Sequence, residues 1–348
     1  MTTPTDSAAA EAPATTQRTA AIVYNPVKVH LPTLQRTIAR YEQDAGWNES
    51  LWFATTVDDP GGGMARAALA AGADVVAAAG GDGTTRLVAE VVHGSDAALA
   101  LLPSGTGNLL ARNMRLPIDD LGESARAMFH GEDREIDFGQ IGIEREDGSR
   151  ERHGFLVMAG LGLDARMLAN TRPQLKKRVG WLAYVDAVAR SLRDLDAVDF
   201  RYRLDDEGAK SLRAHALIVG NCGTLQANML LLPEASIDDG VFDIVAMRPR
   251  SVWGWMRIGA RLFWENAALR RVSRTKLGKT VVGQRIISRA GSERPLRYMR
   301  GQELTVRLDK PDEFEIDGDS VGRISAFRAQ VEAASLRVRV PVGHVLHV

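Results

Sequence analysis

Residues 77–108 read AAAGGDGTTRLVAEVVHGSDAALALLPSGTGN, and the way this stretch alternates decides the fold. An apolar run, Val75–Ala79, is cut off by Gly80-Gly81-Asp82-Gly83-Thr84. Helical spacing follows at once, with Leu87, Val88, Val91 and Val92 on one side. A second apolar run, Ala97–Leu102, ends in Pro103-Ser104-Gly105-Thr106-Gly107-Asn108. Two strands joined through a helix imply a parallel sheet, with both glycine-rich turns delivered to one edge. That edge, outside the carboxyl ends of the strands, is where open α/β sheets bind ligands.

The first turn has the chemistry of an anion cradle. Glycines let backbone N–H groups approach an anion with no Cβ in the way, and the following helix N-terminus adds partial positive charge. Thr84 and Thr85 offer hydroxyl donors. Asp82 does not belong to such a set by itself, because a bare carboxylate repels phosphate. It belongs if a divalent cation lies between it and the phosphates, or if it takes a proton from an attacking hydroxyl. The plainer reading is a tight strand–helix turn in which Asp82 caps its helix.

Gly80–Thr84 followed by Pro103–Asn108 resembles the catalytic domain of the diacylglycerol kinase and sphingosine kinase family, and the likeness extends from about Thr19 to Pro341. The GGDG element alone is shared with phosphofructokinases and NAD kinases; the second turn and later motifs make the match specific. The resemblance implies an α/β nucleotide-binding domain, a parallel sheet with flanking helices, followed by an antiparallel β-sandwich domain. It implies ATP and Mg²⁺, with Gly80, Gly81, Asp82, Gly83, Thr84, Gly105, Thr106, Gly107 and Asn108 around the nucleotide. In the family an Asn-Pro-x-x-Gly turn also touches the nucleotide. Here the turn is Asn25-Pro26-Val27-Lys28-Val29, without the glycine. Asn25 and Pro26 carry over, and Lys28 is either a point charge for a phosphate or a solvated loop lysine. A threonine after the second strand, Thr55 or Thr56, completes the set.

Outward from this core, Ala20–Tyr24 is a strand, Leu31–Ala45 a helix through Leu34, Ile38 and Tyr41, Leu51–Thr55 a strand, and Met64–Ala71 a helix stopped by Gly72. The β-α alternation continues to His130, which argues a sheet wrapped by helices. After Gly131 the texture changes to many short strands with turn chemistry between them, including Arg134–Ile143, His153–Met158, the alternating Val198–Leu204, Ala214–Val219, Val241–Met247, Thr280–Ser288, Leu304–Leu308, Ala326–Val331 and Leu336–Val340. These suggest an antiparallel sandwich. The expected division is a tail over 1–18, a nucleotide domain over 19–130 and an acceptor domain over 131–342.

Three motifs of the second half carry over from the family. Gly160-Leu161-Gly162-Leu163-Asp164-Ala165 resembles a turn whose aspartate faces the lipid head group, which makes Asp164 an acceptor-site candidate beside its reading as a helix cap. Pro233–Asp243 matches an Asp-Gly-x-x-Asp segment that holds a structural Mg²⁺; by position the ligands are the Asp239 carboxylate and the carbonyls of Ser236 and Val241. The alternative is a β-turn that favours aspartate. Phe314-Glu315-Ile316-Asp317-Gly318-Asp319 matches Asp-Gly-Glu, whose glutamate is the proton acceptor. Here that position is Asp319, one methylene shorter, so Asp82 remains the second candidate base.

The 348 residues carry 44 basic and 44 acidic side chains, a balance that gives no global attraction to nucleic acid or membrane. A single cysteine, Cys222, excludes a disulfide framework and fits a reducing compartment, most simply as a small buried residue. Residues 1–18 lack a basic start and an apolar core, so they read as a disordered tail rather than a signal peptide. Residues 251–279 hold Trp253, Trp255 and Trp264 with seven Arg or Lys against Glu265, the composition of an element at an anionic lipid surface; Arg172–Arg178 is a second basic cluster. The expectation is a cytoplasmic lipid kinase, peripheral at the inner membrane face, with diacylglycerol as first acceptor. Sphingoid bases or other lipids, a soluble NAD-kinase- or phosphofructokinase-like kinase, and a non-catalytic nucleotide-binding membrane module are the alternatives. Sandwich-edge strands leave homodimerisation open.

Overall fold

The computed structural model describes residues 17–162, 197–225, 229–249 and 296–346. Asp164, the Arg172–Arg178 cluster, the Trp–Arg stretch and the strand expected over 280–288 lie outside them.

Four parallel strands form the first half: β1 (Ala20–Tyr24), β2 (Leu51–Ala54), β3 (Val75–Ala79) and β4 (Ala98–Leu101). Their order is β4-β3-β1-β2, with Ile22 paired to both Trp52 and Ala77. The strands are short and almost wholly apolar because both faces are covered. Alternate residues go to opposite layers. Ala20 and Ile22 of β1 pack with Leu34 and Ile38 of α1 (Leu31–Ala45) and with Met128 and Phe129 of α5 (Leu121–His130). Ala21 and Val23 face Ala65 and Ala68 of α2 (Gly62–Ala70) and Val88, Ala89 and Val92 of α3 (Asp82–Val92). The α3 stripe differs from expectation. Thr84, Arg86, Val88, Ala89 and Val92 are its buried residues, whereas Leu87 and Val91 are only half-buried. A short helix, α4 (Leu109–Asn113), follows the second glycine-rich turn.

The second half is antiparallel. It contains β5 (Glu132–Glu144), β6 (Arg150–Phe155), β7 (Met158–Leu161), β8 (Val198–Leu204), β9 (Lys210–Ala214), β10 (Ala216–Gly220), the small pair β11 (Thr224–Leu225) and β12 (Met229–Leu230), β13 (Phe242–Met247), β14 (Leu296–Gly301), and a long hairpin, β15 (Glu303–Ile316) with β16 (Asp319–Val340). Its own core is rich in phenylalanine: Phe155, Phe200, Phe242, Phe314 and Phe327.

The two strands expected over Ala326–Val331 and Leu336–Val340 are one. β16 shifts register between Glu332 and Leu336, where Ala334 takes φ 49° and donates its N–H to Asp137 Oδ1 at 2.9 Å. That bulge re-aims the strand, as extra residues in a ladder do. Beyond it, Val338 pairs parallel with Leu99 of β4. The chain therefore returns to the first sheet, and the hydrogen-bonded ladder runs unbroken from one half to the other.

Candidate nucleotide and acceptor site

All four parallel strands deliver their carboxyl ends to one edge: Asn25 after β1, Thr55 after β2, Gly80 after β3 and Pro103 after β4. From β1 the chain moves outward to β2, then crosses back to β3 on the other side. The β1/β3 gap is thus the point where strand order reverses, the usual position of a ligand crevice.

The two glycine-rich turns lie against each other there. A Cβ on Gly105 would sit 2.8 Å from the Gly81 Cα, and one on Gly80 would sit 2.7 Å from the Thr84 Cβ. No φ at these glycines is positive, so proximity alone demands glycine. Ser104 N–H donates to the Gly80 carbonyl at 3.1 Å. Asp82 completes the join: its carboxylate accepts from Leu109 N–H at 2.5 Å and Asn108 N–H at 3.0 Å. It therefore caps α4, the helix of the other turn, and not its own helix. Burial raises its pKa, the two amides oppose this, and the negative charge of Asp319 adds to the rise.

Asn108 shapes the second turn. It takes φ 49°, its Oδ1 accepts from Gly105 N–H at 3.1 Å, and its Nδ2 donates to the Gly105 carbonyl at 2.9 Å. Among the described residues, the amides of Gly81, Thr106 and Gly107 have no hydrogen-bond partner. Unbonded N–H groups on two touching glycine turns, ahead of an eleven-residue helix, fit a polyphosphate. Thr84 is buried and closes over Gly80, which sets it apart from the exposed Thr106. Thr55 is buried with its N–H on the Tyr24 carbonyl; Thr56 is the exposed neighbour, and its hydroxyl accepts from Asp59 N–H. Asn25 accepts from Val27 N–H through Oδ1, and Pro26 is exposed beside it.

Asp319 arrives from the other half of the molecule. The hairpin turn places Asp317 at φ 49° and Gly318 at φ 89°. Asp317 is buried and accepts the N–H groups of Leu156, Val157 and Met158 at 2.8, 2.8 and 2.9 Å. Burial outweighs those donors and raises its pKa to about 6. With Asp317 pinned, Asp319 extends to the first glycine turn: a Cβ on Gly83 would lie 2.9 Å from Asp319 Oδ2. The side chain is 53% exposed, open enough to meet a ligand.

Two residues of this site were not singled out in the sequence, Arg86 and Glu90. The nearly buried Arg86 guanidinium bonds Glu90 Oε1 at 2.9 Å and Asp319 Oδ2 at 3.4 Å, and Glu90 Oε1 accepts from Gly154 N–H at 2.8 Å. A buried cation needs paired anions. The signal available in the sequence was an arginine inside an otherwise apolar helix face with glutamate four residues on.

The Asp239 segment is acidic around one cation. Arg300 pairs with Asp239 Oδ2, and its Nε stands 3.4 Å from Asp243 Oδ2. Asp243 Oδ2 is buried without a hydrogen bond, and burial raises the Asp243 pKa to about 6, opposed by Arg300. Asp137 binds Gly240 N–H at 2.6 Å, and the Ser236 hydroxyl bonds Asp238 at 2.8 Å. Val241 offers its N–H to Asp239 Oδ1 at 3.3 Å. Among the described residues no three His, Cys, Asp or Glu side chains converge to hold a metal. One carboxylate with two carbonyls is a different donor set. The Asp239 carboxylate and the carbonyls of Ser236 and Val241 are the hard oxygen donors such a cation takes, and the Arg300 guanidinium now lies against both Asp239 and Asp243. Cys222 is buried, with Sγ 3.5 Å from the Leu156 carbonyl, and burial pushes its thiol pKa far up, so it is an inert core residue.

Residues 20–141 match the family described as "Diacylglycerol kinase catalytic domain", and residues 156–263 match "YegS C-terminal NAD kinase beta sandwich-like domain". A "Probable lipid kinase YegS-like" of Pseudomonas putida is 33% identical over 216 residues, 57% of this chain and 67% of its own length. A protein of the same name from Pseudomonas aeruginosa is 34% identical, over 51% of this chain and 55% of its own. The "Diacylglycerol kinase" of Bacillus subtilis is 25% identical over 88% of this chain and 91% of its own. A crystal structure of a diacylglycerol kinase from Bacillus anthracis superposes with TM-score 0.61 over 94% of this chain and 98% of that one, at 16% identity, which speaks to the fold. Among the described residues no helix is long and apolar enough to cross a membrane. The first match covers the sheet that bears the glycine turns and the second covers part of the sandwich that supplies Asp317 and Asp319, so the chain belongs to the diacylglycerol kinase catalytic-domain family.

Proposed function

We propose that the chain is an ATP-dependent lipid kinase that transfers the γ-phosphoryl group to a lipid hydroxyl, with diacylglycerol the first acceptor. The observation that carries this reading is the meeting of Asp319, from the sandwich hairpin, with Gly83 of the first glycine turn. A carboxylate from one half and a phosphate cradle from the other meet where an acceptor hydroxyl and a γ-phosphoryl group must approach. The names of the Bacillus subtilis and Mycobacterium tuberculosis relatives, both "Diacylglycerol kinase", point to that acceptor.

Phosphoryl transfer needs positioning and charge neutralisation more than covalent chemistry. The free amides of Gly81, Thr106 and Gly107 hold phosphate oxygens. Asp319 Oδ takes the proton of the acceptor hydroxyl, while Arg86 fixes the carboxylate against α3. Asp82 has both oxygens on α4 amides, so it acts by holding the two turns in register, and this favours Asp319 over Asp82 as the base. Mg²⁺ accompanying ATP supplies charge neutralisation at the phosphates. A second, structural Mg²⁺ at Asp239 with the carbonyls of Ser236 and Val241 needs Arg300 to yield its place. Asp164 is the head-group contact carried from the family. The acceptor is met at an anionic membrane surface from the cytoplasmic side.

The test is transfer of labelled γ-phosphate from ATP–Mg²⁺ to diacylglycerol, monoacylglycerol, sphingosine and ceramide in mixed micelles, with NAD and fructose 6-phosphate as soluble acceptors. Labelled phosphatidic acid, reduced at least about 100-fold in Asp319→Asn, is the expected result. Label confined to NAD or the sugar phosphate refutes the lipid reading.

A further inference from the structure

The Asn25–Val29 turn departs from the glycine-containing turn of the related kinases, and the structure shows what it offers instead. Every backbone N–H in it is already used. Asn25 N–H donates to Ala79 O, Pro26 has none, Val27 N–H goes to Asn25 Oδ1, and Lys28 and Val29 N–H both go to the Asn25 carbonyl at 3.0 and 3.2 Å. The backbone of this turn therefore has no donor left for a phosphate. Apart from the Asn25 side-chain amide, its remaining donor is the Lys28 ammonium.

That ammonium lies across the β1/β3 gap, over the first glycine turn. A Cβ on Gly81 would be 2.6 Å from Lys28 Nζ, so only glycine at 81 leaves the lysine its place. The neighbouring cations are committed: Arg86 to Glu90 and Asp319, and Arg112 to the Gly107 carbonyl at 2.6 Å. Among the described residues Lys28 has neither an ion pair nor a hydrogen bond, although Asp82 and Asp319 make this edge acidic.

We infer that Lys28 is a polyphosphate-binding residue of this chain, its ammonium taking the part that a backbone donor plays in a glycine-containing turn. The assignment rests on the kinase reading above. A compact ammonium on a flexible stem suits a terminal phosphate whose position shifts during transfer. Charge-assisted hydrogen bonds are the strong ones, so the effect of losing it is large.

The experiment is titration calorimetry of ATP, inorganic tripolyphosphate and adenosine into wild-type protein, Lys28→Met, Lys28→Arg and the control Lys310→Met, which removes an exposed lysine of β15. Lys28→Met weakens ATP and tripolyphosphate by roughly 10- to 100-fold and leaves adenosine unchanged; Lys28→Arg recovers most of the affinity, and Lys310→Met binds like wild type. Equal polyphosphate binding by wild type and Lys28→Met overturns the Lys28 assignment and leaves the kinase reading standing. Wild-type protein that binds none of the three ligands overturns both. A loss that extends equally to adenosine shows Lys28 acting on the fold of the turn, which also overturns the assignment.

Discussion

Replacing Gly105 by alanine should destabilise the fold far more than replacing Gly81, although the two face each other. Neither residue has positive φ, so alanine meets no backbone strain at either, and both changes remove similar freedom from the unfolded chain, worth about 0.4–1 kcal/mol. The difference between them is therefore steric. At 105 the new Cβ lies 2.8 Å from the Gly81 Cα and 3.1 Å from Asn108 Oδ1. Carbon atoms rest at about 3.5–4.0 Å, so the turns must part by roughly 1 Å. Three bonds oppose this: Ser104 N–H to Gly80 O at 3.1 Å, and the two amides on Asp82 at 2.5 and 3.0 Å. Overpacking of this kind costs about 1–3 kcal/mol. At 81 the new Cβ meets Lys28 Nζ, the free end of a flexible chain, and the Gly105 Cα at an ordinary 3.9 Å. Gly81→Ala should stay within about 0.5 kcal/mol of wild type while displacing Lys28. In urea unfolding, Gly105→Ala should then fall below Gly81→Ala by about 1–3 kcal/mol. Equal midpoints for the two variants would refute the close apposition of the turns and the argument built on it.

Asp82→Asn keeps the size of the side chain but turns one acceptor into a donor that faces an N–H, so α4 loses part of its cap. We expect about 1–2 kcal/mol lower stability by denaturant titration, with weakened ATP binding measured directly; unchanged stability would return Asp82 to a purely chemical role. Asp317 supplies a pH prediction. Its pKa, raised to about 6 in the folded protein from about 3.9 when unfolded, makes the protonated form the better one to bury. Its contribution is complete below about pH 4 and is lost as the pH rises through about 6. The stability gap between wild type and Asp317→Asn should therefore narrow in the wild type's disfavour from pH 4 to pH 7, read from urea midpoints; a constant gap would show that the three amide donors offset burial in full.

Much of the site was legible because glycine turns are decided locally. A chain that passes another so closely that an added Cβ would lie 2.8 Å from its Cα has one residue to use, and Gly80–Gly83 and Gly105–Gly107 announce it. The helix Leu31–Ala45 was equally plain from the apolar spacing of Leu34, Ile38 and Tyr41, and the structure ends it at Gly46 in the left-handed conformation. What spacing could not supply is partnership over distance. Asp82 reads as a cap for its own helix, yet its partners are Asn108 and Leu109. Arg86 reads as a charged helix residue, yet its burial depends on Asp319 far along the chain. Leu336–Val340 reads as one more sandwich strand, because parallel pairing with Leu99 leaves no mark on the strand itself.

The shortened carboxylate at 319 raises the question of reach, and the hairpin answers it through its backbone. Asp317 is anchored by three amides of the segment that leads into β7, and Gly318 in the left-handed region turns the chain immediately after it. The position of Asp319 is thereby set from the fixed residue two places before it, with little left to side-chain length. Gly83 contributes the other half of the fit: with no Cβ it lets the Asp319 carboxylate come to where a side-chain carbon would otherwise stand. Arg86 then holds Oδ2 from the α3 side, with the Asp319 side chain still half-exposed. In this chain the reach comes from how the turn is pinned, so Asp317 governs the placement of Asp319.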